Sequence, residues 1–304
     1  MRRDWLGPWN IIANTGPTTG DPSPIRDELA GCRSFGICPL PVTVLSSSLP
    51  ESFHNNMDAE SFELLHRLEP AYWWFAGMRR ITDAILHKEL SGPGIRILDA
   101  GCGTGFNMHY YGSCSSRMVF GLDVAEGAIH YIRNGTVTNF TQASVTAIPF
   151  RSETFDLVFS FEVVTQLRYE LQDDALREMH RVLKPEGSLF IRVPAFKWLW
   201  SSHDQAICAF YRYTRRELED KLRRLGYRIE WISYANTFLF PVALLRRMLK
   251  RFGIAQGSDV RPFPHGMRWL NRVFRCMLES EATWFQHGHR FPFGLSIVCH
   301  AKRS

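Results

Sequence analysis

The stretch "ILDAGCGTG", residues 97–105, constrains the fold of this chain more than any other. An apolar strand runs into Asp99, and Gly101, Gly103 and Gly105 follow at once. Glycine reaches left-handed backbone without steric cost, and its missing Cβ lets another group come up against the main chain. Between a buried strand and a helix start, such a turn marks a parallel βα unit whose helix presents free amides. The same alternation continues on both sides. Ile95–Asp99, Met118–Asp123, Val137–Gln142, Phe155–Ser160, Ser188–Pro194, Tyr227–Tyr234 and Gly294–Ala301 read as strands. Ala125–Arg133, Leu171–Leu183 and Thr214–Leu225 read as helices, the second stopped by Pro185 and Gly187, the third capped by Thr214 and ended by Gly226. Alternation of this kind predicts a doubly wound α/β sheet.

Residues 1–56 differ from the rest. They carry 7 of the 16 prolines, four Arg against five acids, and no lasting apolar period. Such a segment buries too little to offset its ordering entropy and is expected to be disordered, with Met57 a candidate start. No stretch reaches the ~18 apolar residues of a membrane span, and no secretory signal pattern is visible. Seven cysteines without a CxxC pair argue against a disulfide framework or a Cys-rich zinc site, so no metal is expected. The expected setting is cytoplasmic. The net charge of +6 fits nucleic acid, anionic lipid or an acidic substrate without choosing among them.

Eighteen residues after Gly105 the second strand ends in Asp123. An acid there can accept both hydroxyls of a ribose, so the pair points to a nucleoside-containing ligand at the carboxyl edge of a parallel sheet. The dinucleotide fingerprint G-x-G-x-x-G is not met: the third glycine comes one place early and Phe106 holds the sixth position. Asp99 before the turn would repel phosphate but suit an ammonium or sulfonium group. Both points favour S-adenosylmethionine over NAD.

With these residues in place the chain resembles the class I S-adenosylmethionine-dependent methyltransferases, nearest the type 11 group. The resemblance runs from about Tyr72 to Lys302 and rests on "YWWFAGMRR", "ILDAGCGTG", "GLDVAEGAI", "ASVTAIPFRSETFDLVFSFEVV", "ALREMHRVLKPEGSLFIRVPA" and "SSHDQAICAFYRYTRRELEDKL". It implies a seven-stranded Rossmann-like sheet with the last strand antiparallel. A helical cover would occupy 57–94, the cofactor-binding core 95–235, a helical cap insertion 236–292 and the final strand 293–304. It places Asp99, Gly101, Cys102, Gly103 and Gly105 around the methionine part of the cofactor, Asp123 at the ribose and Val124 against adenine. Ser144 stands where many relatives have an Asp reaching the adenine amine, and Phe161 opens the segment lining the methyl-donor pocket.

Three further stretches carry two readings each. The aromatic run 72–75 is either core or a helix over the cofactor, with Trp74 or Arg79 facing it. In 201–214, His203 is either a general base, with Asp204 beside it, or exposed on a loop latched by an Asp204–Arg212 salt bridge. Segment 237–252 ends in four cations and is either a membrane-surface helix serving a lipid-like acceptor or a helix packed on the substrate side. The expected reaction is methyl transfer to an O, N or C atom of a small-molecule or lipid-like acceptor. A catalytically silent cofactor-binding protein stays open; an NAD-dependent oxidoreductase is disfavoured by the glycine spacing, and an RNA methyltransferase by the lack of a nucleic-acid module.

Overall fold

The computed structural model describes residues 59–133, 139–201, 204, 208–251 and 267–304. The expected extension 1–56 and the candidate start at Met57 lie outside the described residues, as do the beginning of the third strand and His203. The seven strands are β1 (Ile95–Ala100), β2 (Arg117–Asp123), β3 (Phe140–Gln142), β4 (Phe155–Phe161), β5 (Leu183–Pro194), β6 (Tyr227–Ala235) and β7 (Ser296–Arg303). They form one sheet in the order β3-β2-β1-β4-β5-β7-β6. β1 to β5 pair in parallel, and β7 runs antiparallel between β5 and β6, as the resemblance implied. The order turns outward on either side of the β1–β4 pair, so the switch point of the sheet falls where Asp99 ends β1.

Helices cover both faces. Successive strand residues point to opposite sides, and β1 shows it: Leu98 joins a core closed by α5 (Tyr169–Val182) and α6 (Arg215–Arg224), whereas Ile97 joins one closed by α2 (Trp73–Ile85), α3 (Phe106–Gly112) and α8 (Trp269–Gln286). α1 (Ala59–Leu68) packs on α4 (Glu126–Arg133) through Phe62 and Ala128, and α7 (Phe240–Arg251) follows β6. α6 has the capping box anticipated at Thr214, whose hydroxyl accepts from Glu217 N while Glu217 accepts from Thr214 N.

Two readings of the sequence need adjusting. α5 ends at Val182 and β5 starts at Leu183, so Pro185 and Gly187 do not stop the helix. They belong to an irregularity in the ladder, where β4 passes from Phe155 to Leu157 while β5 passes from Leu183 to Ser188, with Glu186 left-handed at φ 59°. The segment expected as a cap also supplies core. α8 lies along α2 so closely that a Cβ on Gly77 would sit 2.5 Å from Leu278 Cβ, and Leu278, Ala282 and Phe285 are buried beneath it.

α8 also fastens the end of β6. The buried Glu281 carboxylate accepts from the amides of Asn236, Thr237 and Phe238 at 2.7, 2.6 and 2.8 Å, around a left-handed Asn236 (φ 59°). Burial outweighs those amide bonds and pushes its pKa up to about 7. The folded state therefore holds a proton that the unfolded chain has lost above pH ~4.5. Stability should fall as pH rises from about 4.5 to 7 and then level off, by about 3 kcal/mol at most from this group. Urea unfolding across that range should show the slope reduced in Glu281→Gln; an identical slope in the variant would assign it to other groups.

Candidate active site

The carboxyl ends of β1, β2, β4 and β5 gather an unusual number of buried ionisable groups. Asp99 is 1% exposed, and neither of its carboxylate oxygens has a hydrogen-bond partner. Burial, and then the nearby Asp123 and Glu69 charges, hold it well above the usual carboxylate range, while Arg192 pulls the other way. A buried carboxylate without partners costs several kcal/mol, and native structures keep such a group only where something else needs it.

The turn after Asp99 is shaped around the same edge. Gly101 has φ 90°, and a Cβ there would strike Val163 at 2.2 Å. Gly103 has φ 53°, and an added Cβ would meet nothing within 4 Å, so its main chain borders open space. Gly105, also left-handed, serves packing: a Cβ would come within 3.0 Å of Ile132. The Cys102 side chain is buried in the core and its thiol is raised well above the ordinary value by burial, which leaves only its backbone for the turn.

Asp123 already has work at the end of β2. Its oxygens accept from Gly103 N and Ala125 N, both at 2.9 Å, tying the glycine turn to the start of the next helix. Burial raises its pKa against those amide bonds. Val124 lies half-buried beside it. The Ser144 hydroxyl is 2.8 Å from that of Thr146 and accepts from Thr146 N, which makes it part of a local turn.

α2 lies over this edge, and the aromatic run divides between roles. The Trp74 ring has the Arg192 guanidinium over it at 4.8 Å, and Phe161 has the same guanidinium at 4.9 Å. Arg79 is a tie: it donates to Glu69 O at 2.7 Å and lies 4.5 Å from the centre of Phe106, the residue that spoiled the dinucleotide pattern. The sequence reading named Glu162 with Phe161 but missed Glu69 and Arg192. Glu69 accepts from the Thr104 hydroxyl, and burial pushes it up to about 7. Arg192 was detectable as the one charge in "SLFIRVP", an otherwise uncharged strand; nothing local distinguished Glu69.

The loop after β5 takes the latched form. Asp204 is fully buried; Arg212 Nε and Nη2 reach its two oxygens at 2.7 and 2.9 Å, and Ser201 N donates at 2.7 Å. A carboxylate so fully engaged positions the loop, while His203 beside it lies outside the described residues.

Comparison with known proteins identifies the family. The pattern of a methyltransferase domain family matches residues 98–191. A malonyl-[acyl-carrier protein] O-methyltransferase of Enterobacter lignolyticus (strain SCF1) is 31% identical over 183 residues, covering 58% of this chain and 71% of that protein. Squalene methyltransferase 1 of Botryococcus braunii is 33% identical over 136 residues, 40% of this chain and 34% of that protein. Among solved structures the [4+2]-cyclase SpnF superposes with a TM-score of 0.52 at 17% identity, over 81% of this chain and 94% of that one, a likeness of fold alone. The chain belongs to the class I S-adenosylmethionine-dependent methyltransferases. It is an enzyme of that class, with S-adenosylmethionine as its methyl donor.

The two aspartates should separate by sign. Asp99→Asn replaces an unpartnered buried carboxyl group, so stability should hold or rise while S-adenosylhomocysteine affinity drops by about 1.5–3 kcal/mol, the scale for a hydrogen bond to a charged group. Asp123→Ala should lose both, since two amides forfeit their acceptor. Calorimetry with thermal melts reads this; parallel losses in the two variants would make Asp99 structural. Asp204→Ala leaves Arg212 buried and uncompensated and should cost about 3–5 kcal/mol. Chemical denaturation checks it, and a near-neutral change would show that the loop is held otherwise.

Proposed function

We propose that the chain moves the methyl group of S-adenosylmethionine to an O, N or C atom of a lipid-like acceptor met at an anionic membrane surface. Two features of the edge suit the cofactor: the unpartnered Asp99 carboxylate and the open space over Gly103. Asp99 would hold the amino group, Gly101 to Gly103 would let the ligand lie against the main chain, and Asp123 would accept from the ribose. Val124 would border adenine, with the Ser144 hydroxyl in place of an acid. The donor supplies a methyl carbon already activated by its positive sulfur. The protein's part is then alignment and exclusion of water, for which Trp74 and Phe161 give apolar walls. His203 is proposed as the base for an acceptor that must lose a proton, from its place in sequence beside Asp204; normal turnover in His203→Ala at saturating acceptor would remove that role.

One observation carries the choice of acceptor. Of the thirteen most exposed large apolar side chains among the described residues, twelve lie between Trp198 and Phe293. All sit on segments that leave the sheet after β5 or β6 or return to β7, at the edge where Asp99 lies. Trp198 is 62% exposed, and on α7 the three-residue spacing of Val242, Leu245 and Met248 puts them on one exposed stripe. Ring contacts join the set from Trp198 to Phe240 and on to Phe293. Cations accompany it in sequence, as in "FPVALLRRMLKR" of α7, and Arg67, Arg268 and Arg272 line an open cleft of about 550 Å³ with Trp269, itself 60% exposed. Apolar side chains flanked by cations suit an anionic bilayer, at about 1 kcal/mol per cation near the surface. No helix among the described residues is long and apolar enough to cross a membrane.

Flotation with vesicles of phosphatidylcholine, with and without phosphatidylglycerol, tests this. Binding should need the anionic lipid and fall at least tenfold in the double variant Trp198→Glu, Leu245→Glu. Label from tritiated S-adenosylmethionine should enter the organic phase of a lipid extract. Label confined to water-soluble products, with no vesicle binding, would reject the lipid reading and leave the methyltransferase assignment intact.

A further inference from the structure

Arg192 is built as a binding group. Its side chain is 9% exposed, lying between the rings of Trp74 and Phe161. Its Nε donates to Glu162 Oε1 at 2.9 Å. A guanidinium offers five N–H donors. That bond uses one, and the two terminal nitrogens make no hydrogen bond to any described residue. The other buried arginines behave differently. Arg212 uses Nε, Nη1 and Nη2 on Asp204 and the Ala195 carbonyl, and Arg79 turns its Nη2 onto two backbone carbonyls. Both are braces, whereas Arg192 is held by its stem and its Nε with the fork left unengaged.

Holding it there is costly. Taking a cation out of water costs several kcal/mol before its partner offsets it. That partner, Glu162, is a non-glycine residue at φ 65°, a strained backbone of the kind that collects at functional sites. The Glu162 carboxyl is itself raised by burial, with Arg192 as the main opposing influence. A fork of N–H groups with no bonding partner among the described residues is the geometry that recognises a carboxylate or a phosphate with two oxygens.

Position decides which ligand supplies the anion. Pleat and register put Arg192 on the same face as Asp99, since Asp99 pairs with Phe159, Phe159 with Phe190, and Phe161 with Arg192. Its backbone lies two strands over and two residues further toward the carboxyl edge, roughly 12 Å from that of Asp99 at ordinary strand spacings. It therefore stands on the β5 side, where the chain continues into the exposed Trp198 and Trp200. We propose that Arg192 anchors a carboxylate or phosphate of the methyl acceptor, so that the acceptor is an anionic amphiphile. This rests on the methyltransferase reading of the site and adds the charge its substrate must carry.

The test uses the full chain and three probes of one length: dodecanoate, dodecyl phosphate and dodecanol. Binding is measured by calorimetry with and without S-adenosylhomocysteine. At least one of the two anions should bind ten times more tightly than dodecanol, and which one does so distinguishes carboxylate from phosphate. The preference should vanish in the double variant Arg192→Gln, Glu162→Gln, which leaves no uncompensated buried charge. Arg192→Lys, with charge but no fork, should keep only part of it. S-adenosylhomocysteine affinity should stay within threefold in every variant, and the surface cations are unchanged throughout. Equal binding of anion and alcohol by the wild type, or a preference that survives the double variant, overturns the proposal. So does a tenfold loss of S-adenosylhomocysteine affinity in the variants, which would give the guanidinium to the carboxylate of the cofactor instead. A wild type that binds the anions but gives no heat with S-adenosylhomocysteine would refute the cofactor reading alone.

Discussion

Desolvation of charge at one edge of an apolar sheet is the constraint around which this protein is organised. Asp99, Arg192, Asp204 and Arg212 are buried, and Glu162 mostly so, near the carboxyl ends of the strands, where an unpaired charge is expensive. The fold meets that cost pairwise for Glu162 with Arg192 and for Asp204 with Arg212. It leaves it unmet at Asp99. α2 reaches this edge through Trp74 on Arg192 and Arg79 on Phe106. Its close packing on α8 at Gly77 and Leu278 links the beginning of the described chain to its end.

The sequence made the sheet and the glycine turn at its edge legible because both are written in short-range patterns. A glycine turn is local, and a buried parallel strand is an uninterrupted apolar run. Asp99, Gly101, Gly103 and Asp123 therefore stood out, and they lie together at one strand edge. What escaped is long-range. Glu281 bonds amides more than forty residues away, and Asn271 ties α8 to Ala71 and Trp73 across about two hundred. No window of sequence contains both partners of such a contact, so 236–292 looked like an added cap when part of it is core. The "LKPEG" turn was misplaced for a related reason: its glycine and proline mark a turn, but whether a helix stops there or a ladder bulges depends on β4.

In the loop 201–214 residue type alone left two roles open for Asp204. His and Asp side by side near a substrate edge invite a catalytic reading. The Asp204 carboxylate instead completes a guanidinium clamp that holds the returning chain against Ala195. Arg192 carried the opposite lesson, a charge in a buried strand that deserved a question at the outset.

The position of β7 has a consequence for how the molecule comes into being. Among the described residues β6 pairs with no strand but β7, and β7 must slide between β5 and β6 in the opposite direction. Residues 236–295 separate β6 from β7. As the chain emerges from the ribosome, β1 to β5 can assemble while the outer edge of β5 stays bare and β6 waits unpaired. The apolar segments destined for the surface emerge during that same interval. Nascent chains are thus most exposed to sticking, to one another or to a membrane, just before the last strand closes the sheet.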